Sequence, residues 1–211
     1  MTFFVSGTDT DVGKTIASAI LCKILDAAYW KPIQSGTDEA SDTKSVLDFL
    51  PELKTYKEAY ALKAPLSPHR AAELEGEEIY LEQIKVPEHS GNLLIEGAGG
   101  LMVPLNHEFL LIDWVARMGW PVILVSKHYL GSINHTLLSV SYLMQHNIPI
   151  AGILFNGMEN KATEQVISEF ADVPILGRIE EAKVLDQAFI EKEAKRLSEA
   201  VLNVLSRWKK A

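Results

Sequence analysis

The sequence predicts an α/β fold, a mostly parallel sheet flanked by helices, and three observations point to it. Short apolar runs of strand type recur at residues 3–5, 92–95, 121–126, 150–156 and 173–177. Segments with helical spacing of apolar residues lie between them. Neither repeats nor low-complexity linkers divide the chain, so residues 1–211 are expected to form one domain.

The first strand and its sequel organise the rest. Phe3, Phe4 and Val5 lead to Gly7, and Gly13, Lys14 and Thr15 lead into Ile16, Ala17, Ser18, Ala19, Ile20 and Leu21, a segment of helical composition. Strand, loop and helix in that order aim backbone N–H groups and the positive end of a helix dipole at one point beyond the sheet, which suits a polyphosphate. Lys14 would bridge the β- and γ-phosphates and the Thr15 hydroxyl would hold Mg²⁺. The fold is therefore expected to be of the P-loop NTPase type. Gly7 and Gly13 enclose five residues where the usual pattern has four, so Thr8 takes the place of the first glycine. A glycine-rich turn with a solvated lysine is the plain alternative, and the flanking strand and helix count against it.

Composition narrows the partners. With 28 acidic and 20 basic residues the chain carries −8, and its longest basic run is Lys209-Lys210, so no nucleic-acid footprint is present. Cys22 is the single cysteine, which excludes an intrachain disulfide and a cysteine metal cluster. No apolar run approaches the ~20 residues of a membrane span, and no basic leader follows Met1. A soluble, unprocessed, cytoplasmic protein is expected.

The elements follow in order. The first helix is expected to end near Ala27, and in the stretch of residues 29–36 that follows, Pro32 marks a strand end, which puts Lys31 at the sheet's carboxyl edge. Lys31 is either a placed charge facing the phosphates or a solvated edge lysine. Ser41, Asp42 and Thr43 precede a short helix over residues 44–50. Asp42 taken alone is a cap; beside a phosphate loop it could also ligate Mg²⁺. Residues 52–66 read as irregular. Ser67 and Pro68 open a helix that Gly76 stops, and residues 79–86 could form another.

Leu93, Leu94 and Ile95 predict a strand buried on both faces, with Glu96 following at its carboxyl end in the position of an acidic Mg²⁺ ligand. Gly97, Ala98, Gly99 and Gly100 leave backbone free to approach a ligand. A helix over residues 110–118 ends at Gly119, and after the strand at 121–126 Gly131 and Ser132 open a long helix whose free N–H groups could hold a carboxylate. Asn156 ends the strand at 150–156; it is either a turn residue before Gly157 or a reader of a base, having both a donor and an acceptor. Residues 188–210 form an amphipathic stretch expected to pack on the sheet.

These segments resemble the dethiobiotin synthetase family from Phe4 to about Gly177. The resemblance lies in Gly7 to Thr15, in Lys31-Pro32-Ile33-Gln34-Ser35-Gly36, in Ser67-Pro68-His69, in Glu96-Gly97-Ala98-Gly99-Gly100 and in Gly131-Ser132-Ile133-Asn134-His135. The five-residue gap between the loop glycines is itself like that family. The resemblance implies a homodimeric, Mg-ATP-dependent ligase that joins CO₂ to 7,8-diaminononanoate and closes the cyclic urea of dethiobiotin through a carbamate and its phosphoric anhydride.

On the matching positions, Lys14 and Lys31 would be the catalytic cations. Asp11, Val12, Gly13, Lys14, Thr15, Ile16, Gly97, Ala98 and Gly99 would border the nucleotide, and Asn156 would read adenine. Thr15, Asp42 and Glu96 would surround Mg²⁺. Ser35 would touch substrate, as would Gly131, Ser132 and Asn134, reached across the subunit interface. Two departures stand out: the link from first helix to second strand is short, so that strand is expected to be truncated or re-angled, and Glu180 replaces a proline common in the family. Rival functions are a cobyrinic-acid-type amide synthase, disfavoured by the lack of a cysteine-bearing glutaminase domain, and a partition-type ATPase, disfavoured by the acidic charge and the absence of an early loop lysine between Thr8 and Asp11.

Overall fold

The structure is a computed structural model that describes residues 1–37 and 41–210, with side chains through Trp208. Strand β1 (Thr2–Gly7) sends Phe3 and Val5 into one core cluster and Phe4 into another, all buried, as the two-residue period of a strand covered on both faces requires. Gly13, at φ 90, then turns the chain into α1 (Lys14–Leu25), whose Ala17, Ile20 and Leu21 pack on the sheet. Asp26, in the left-handed conformation, ends the helix two residues before the expected point, by donating its N–H to the Cys22 carbonyl.

Strand β2 (Ala27–Trp30) starts at once and is only 4 residues long, the truncation that the short link predicts. The strand end expected at Pro32 is observed, β2 stopping at Trp30. Pro32 lacks the N–H a central ladder needs, and its carbonyl instead accepts from Ala59 and Tyr60. Strand β3 (Ile33–Ser35) belongs to a separate two-stranded sheet. Helix α2 (Asp42–Phe49) begins two residues earlier than expected, with Ser41 as its N-cap. Residues 52–66, expected to be irregular, contain β4 (Thr55–Tyr56) and β5 (Tyr60–Leu62), strands too short to show any periodicity.

Helix α3 (Pro68–Leu74) carries the proline in its first turn. Residues 79–86 form only a 3₁₀ turn, Leu81–Gln83, because Tyr80 supplies no capping side chain and Pro87 disfavours helix at Val86. Strand β6 (Asn92–Gly100) continues four residues past the point where a loop was expected, so Glu96 lies inside the strand rather than after it. Glycine permits this: a Cβ at Gly97 would lie 2.7 Å from the Phe4 ring, and Gly100 pairs with Gly7 of β1 after a register shift beyond Val5.

The second half holds α4 (Leu111–Met118), β7 (Val122–Lys127), α5 (Ser132–Gln145), β8 (Ile150–Asn156), α6 (Lys161–Ala171), β9 (Ile175–Ile179) and α7 (Gln187–Leu205). Gly119, at φ 67, stops α4 as expected. The last strand sits two residues later than residues 173–177, because Pro174 has no donor and serves only as acceptor for Ile153 N–H. The terminal amphipathic stretch is helical to Leu205 and 3₁₀ over Ser206–Lys210.

The main sheet has 7 strands in the order β4-β2-β6-β1-β7-β8-β9, and every pairing among them is parallel. Helices α1 and α7 cover one face through Ile20, Leu21, Ile190, Leu197 and Val201. On the other, Leu111, Ile112, Trp114 and Val115 of α4 and Ala71 and Ala72 of α3 pack on Phe4, Trp30 and Ile95. Val140 of α5 and Ile167 of α6 cover Leu124, Ile153 and Phe155. Trp114 is 1% exposed and meets Phe4, Trp30 and Trp120 edge-on with ring centroids 6.3, 6.0 and 5.1 Å away. Trp114→Ala should cost about 3–5 kcal/mol in urea denaturation, the usual range for emptying an aromatic site that close packing keeps from collapsing.

Candidate active site

Parallel strands bring their carboxyl ends to one edge, where the start of α1 also lies. There a cleft of about 820 Å³ opens, a size that suits a nucleotide-scale ligand. Lys14 and Thr15, the first residues of α1, line it beside Lys31 after β2, Asp42 at the start of α2, and Glu96 within β6. Lys31 Nζ lies 2.7 Å from Asp42 Oδ2 and 3.0 Å from Glu96 Oε1, and donates to the Gly97 carbonyl at 3.0 Å. Thr15 Oγ1 donates to Asp42 Oδ1 at 2.9 Å and is 3.1 Å from Glu96 Oε1. Lys14 Nζ donates to the Asp9 carbonyl across the loop, at 3.0 Å.

The electrostatics follow from burial and pairing. Burial disfavours the Lys31 ammonium, but the Glu96 and Asp42 carboxylates outweigh it and hold the amine protonated above its ordinary range. Burial likewise opposes ionisation of Asp42; Lys31 and the Thr15 hydroxyl overcome this and keep the carboxyl below its usual value. Lys14 is pushed down by burial and by the Lys31 charge, against the pull of Glu96, Asp42 and Asp11.

A family model described as an AAA domain matches residues 1–188. The ATP-dependent dethiobiotin synthetase of Christiangramia forsetii is 46% identical over 203 residues, spanning 93% of this chain and 98% of that one. The enzyme of the same name from Rhodopseudomonas palustris strain BisB18 is 46% identical over 87% of this chain and 88% of its own. The chain belongs to the dethiobiotin synthetase family. Two solved structures share its fold: a ParA family ATPase from Chlorobium tepidum (TM-score 0.54, 15% identity, 100% of this chain and 93% of that one) and the MinD cell division protein of Aquifex aeolicus (TM-score 0.55, 13% identity, 100% and 97%). At those identities the likeness shows the α/β fold alone.

Of the residues singled out from sequence in this dethiobiotin synthetase family member, Asp11, Gly13, Lys14, Thr15, Ile16, Lys31, Ser35, Asp42, Glu96, Ala98 and Gly99 line the cleft together. Val12 and Gly97 lie behind it and contribute carbonyls, Val12 to Asn156 Nδ2 at 2.8 Å and Gly97 to Lys31. Asn156 thus ties β8 to the phosphate loop; its amide donor serves the loop, and its Oδ1 has no hydrogen-bond donor among the described residues. Gly131, Ser132 and Asn134 do not line the cleft of their own chain. Asp42 is not the helix cap: Ser41 Oγ accepts from Lys44 N–H, leaving the Asp42 carboxylate to face Lys31 and Thr15. Glu180 donates its backbone N–H to the buried Glu193 carboxylate at 3.0 Å, a bond that proline could not make. Its own carboxylate pairs with Lys192 at 3.2 Å.

Sequence reasoning missed four contributors. Gln34 accepts from the Asp42 N–H at 2.9 Å and fixes the start of α2. Leu66 and Val103 supply apolar wall from segments without any motif. Tyr29 reaches Glu96 from the neighbouring strand.

The Asp42 pairing carries a pH signature. Its carboxyl titrates lower in the folded than in the unfolded chain, so its stabilising contribution is present above the unfolded value, about pH 4, and is lost as pH falls through the folded value. Asp42→Asn should therefore flatten the acid limb of a plot of stability against pH, measured by urea denaturation of the metal-free protein.

Proposed function

We propose that the chain works as one domain and performs the ATP-dependent closure of 7,8-diaminononanoate and CO₂ to dethiobiotin, with ADP and phosphate released. The observation that carries this reading is the placement of Lys31, a 3% exposed ammonium facing the phosphate loop from the carboxyl edge of the sheet. Such a group suits a reaction in which negative charge passes between a carbamate and a phosphoryl group.

One substrate amine attacks the carbon of CO₂ and loses a proton, giving a carbamate. A carbamate oxygen attacks the γ-phosphorus as the bond to ADP breaks. The second amine then attacks the carbonyl carbon, loses a proton and expels phosphate. Lys31, whose three N–H groups meet Asp42, Glu96 and the Gly97 carbonyl, exchanges one of these for the carbamate oxygen and holds it by charge-assisted hydrogen bonding. Lys14 and the loop N–H groups at the start of α1 take up charge on the γ-phosphoryl group. The Ser35 hydroxyl, buried and without a hydrogen-bond partner among the described residues, is free to meet the diamine.

The donor set fits Mg²⁺. The Thr15 hydroxyl and the Asp42 and Glu96 carboxylates are hard oxygen donors converging on one spot, and Mg²⁺ takes one or two carboxylates, keeping other positions for water and phosphate. Lys14 and Lys31 are already balanced by Asp42 and Glu96, so a triphosphate needs a further cation, and Mg²⁺ would supply charge neutralisation of its β- and γ-oxygens. Asn156 would meet adenine through Oδ1. We further propose a homodimer in which Gly131, Ser132 and Asn134 hold the carboxylate tail of the diamine in the partner's cleft, since a helix start without a capping side chain offers free N–H groups. The working compartment is the cytoplasm, in keeping with a lone buried Cys22; no described helix is long and apolar enough to cross a membrane.

Incubation with diaminononanoate, bicarbonate and Mg-ATP should yield a product of dethiobiotin mass, and absence of that mass would refute the reading. Lys14→Ala should abolish phosphate release with little change in melting temperature, because it removes a charge facing phosphate and no core packing; unchanged turnover would remove the loop from the active site.

The tail site has its own test. Ser132 is 1% exposed, so a charge there would probe folding, whereas Asn134 is exposed and Asn134→Asp is nearly isosteric. Coulomb repulsion at about 4 Å with an effective dielectric near 20 is about 4 kcal/mol before screening. A heavily discounted effect should still raise the diamine KM at least about tenfold, with the ATP KM little changed. An unaltered diamine KM would take this helix start out of the substrate site.

A further inference from the structure

Tyr29 does not line the cleft, yet its side chain ends on the central carboxylate. Sheet register sets Tyr29 opposite Leu94, so Glu96, two residues along β6, lies diagonally ahead on the same face. The Tyr29 hydroxyl donates to Glu96 Oε2 at 3.1 Å, and the residue is 0% exposed. The other oxygen, Oε1, accepts from Lys31 Nζ at 3.0 Å and lies 3.1 Å from Thr15 Oγ1, which donates to Asp42. Among the described residues, Tyr29 is the one hydrogen-bond donor to Oε2.

We propose that Tyr29 is a positioning residue for the metal-nucleotide end of the site, tying down Oε2 so that Oε1 is the oxygen presented to Thr15, Lys31 and a bound divalent cation. The proposal rests on the assignment of Thr15, Asp42 and Glu96 to Mg²⁺. The terminal torsion of glutamate is broad and nearly two-fold, so nothing intrinsic distinguishes its two oxygens. Here the distinction is imposed from outside, by one donor on each side. A phenol remains a donor throughout the neutral range. With the hydroxyl removed, Oε2 would be a buried anionic oxygen lacking its partner, which is costly, and rotation of the carboxylate toward Lys31 would relieve it. That rotation turns a ligand oxygen away from the cation position. Packing alone does not require the hydroxyl: the Tyr29 ring belongs to the core cluster of Ile20, Leu21 and Leu94, which phenylalanine would fill equally.

The test compares the full chain with Tyr29→Phe, Glu96→Gln and the double variant. Mn²⁺ binding in the presence of saturating ADP is followed by electron paramagnetic resonance, and ADP binding in EDTA by calorimetry. Tyr29→Phe should weaken Mn²⁺ about tenfold, the scale of a hydrogen bond to a charged group, while metal-free ADP affinity stays within about twofold. Glu96→Gln should also weaken Mn²⁺, and adding Tyr29→Phe to it should cost much less than it does alone, since the two act through one carboxylate. Tyr29→Met, a flexible filler without a donor, replaces phenylalanine if that variant does not fold. Weaker Mn²⁺ binding in Glu96→Gln but not in Tyr29→Phe, or full additivity of the two, would overturn the role of Tyr29. Unchanged Mn²⁺ binding in both would overturn the metal assignment and the positioning role with it.

Discussion

The ammonium of Lys31, held between Asp42 and Glu96, is the interaction on which the rest of the cleft depends. At 3% exposure it is withdrawn from water, a state that several kcal/mol of desolvation would oppose without partners of opposite charge and good geometry. Each partner comes from a different element: Lys31 follows β2, Asp42 opens α2 and Glu96 lies inside β6. The cluster is therefore a knot joining three segments that local propensity does not bring together. Thr15, from a fourth segment, shares both carboxylates and connects the knot to the phosphate loop.

The parallel sheet supplies the common edge. Because every pairing in the main sheet is parallel, strand ends and helix starts alternate along it, and functional groups from β2, β6 and α1 reach one side. The interruption at Pro32 matters for the same reason. It ends the ladder immediately after Lys31 and sends β3 into the small sheet with β5, which brings Ser35 and Gln34 alongside the cleft. On the opposite side of the loop, Asn156 anchors Val12 to β8, and the Glu193 carboxylate holds the Glu180 N–H just beyond β9. The junction after β9 is thus held by a backbone N–H that proline would lack.

Much of this was legible in the residues. The strand, glycine loop and helix containing Lys14 and Thr15 form a contiguous motif whose physics is local, as are the buried strand with Glu96 and the lysine beside Pro32. Asp42 was ambiguous for a physical reason: an acidic residue at a helix start has a capping role available in every sequence, and only the position of Ser41 as the actual cap removed it. Strands β4 and β5 left no trace, since two or three residues cannot display a period. The extension of β6 through Gly100 ran against propensity and was allowed by the absence of side chains against Phe4.

The sequence by itself determined the class of fold, the phosphate loop and the identity of the charged groups, because alternation, glycine placement and residue chemistry are properties of short stretches. Only the tertiary structure decided which oxygen meets which donor. Tyr29 faces Glu96 through a register of β2 against β6 across 67 residues of chain, and one residue of slip would turn its hydroxyl to the other face. Register is settled by the summed packing of the whole sheet, which no single stretch of sequence contains.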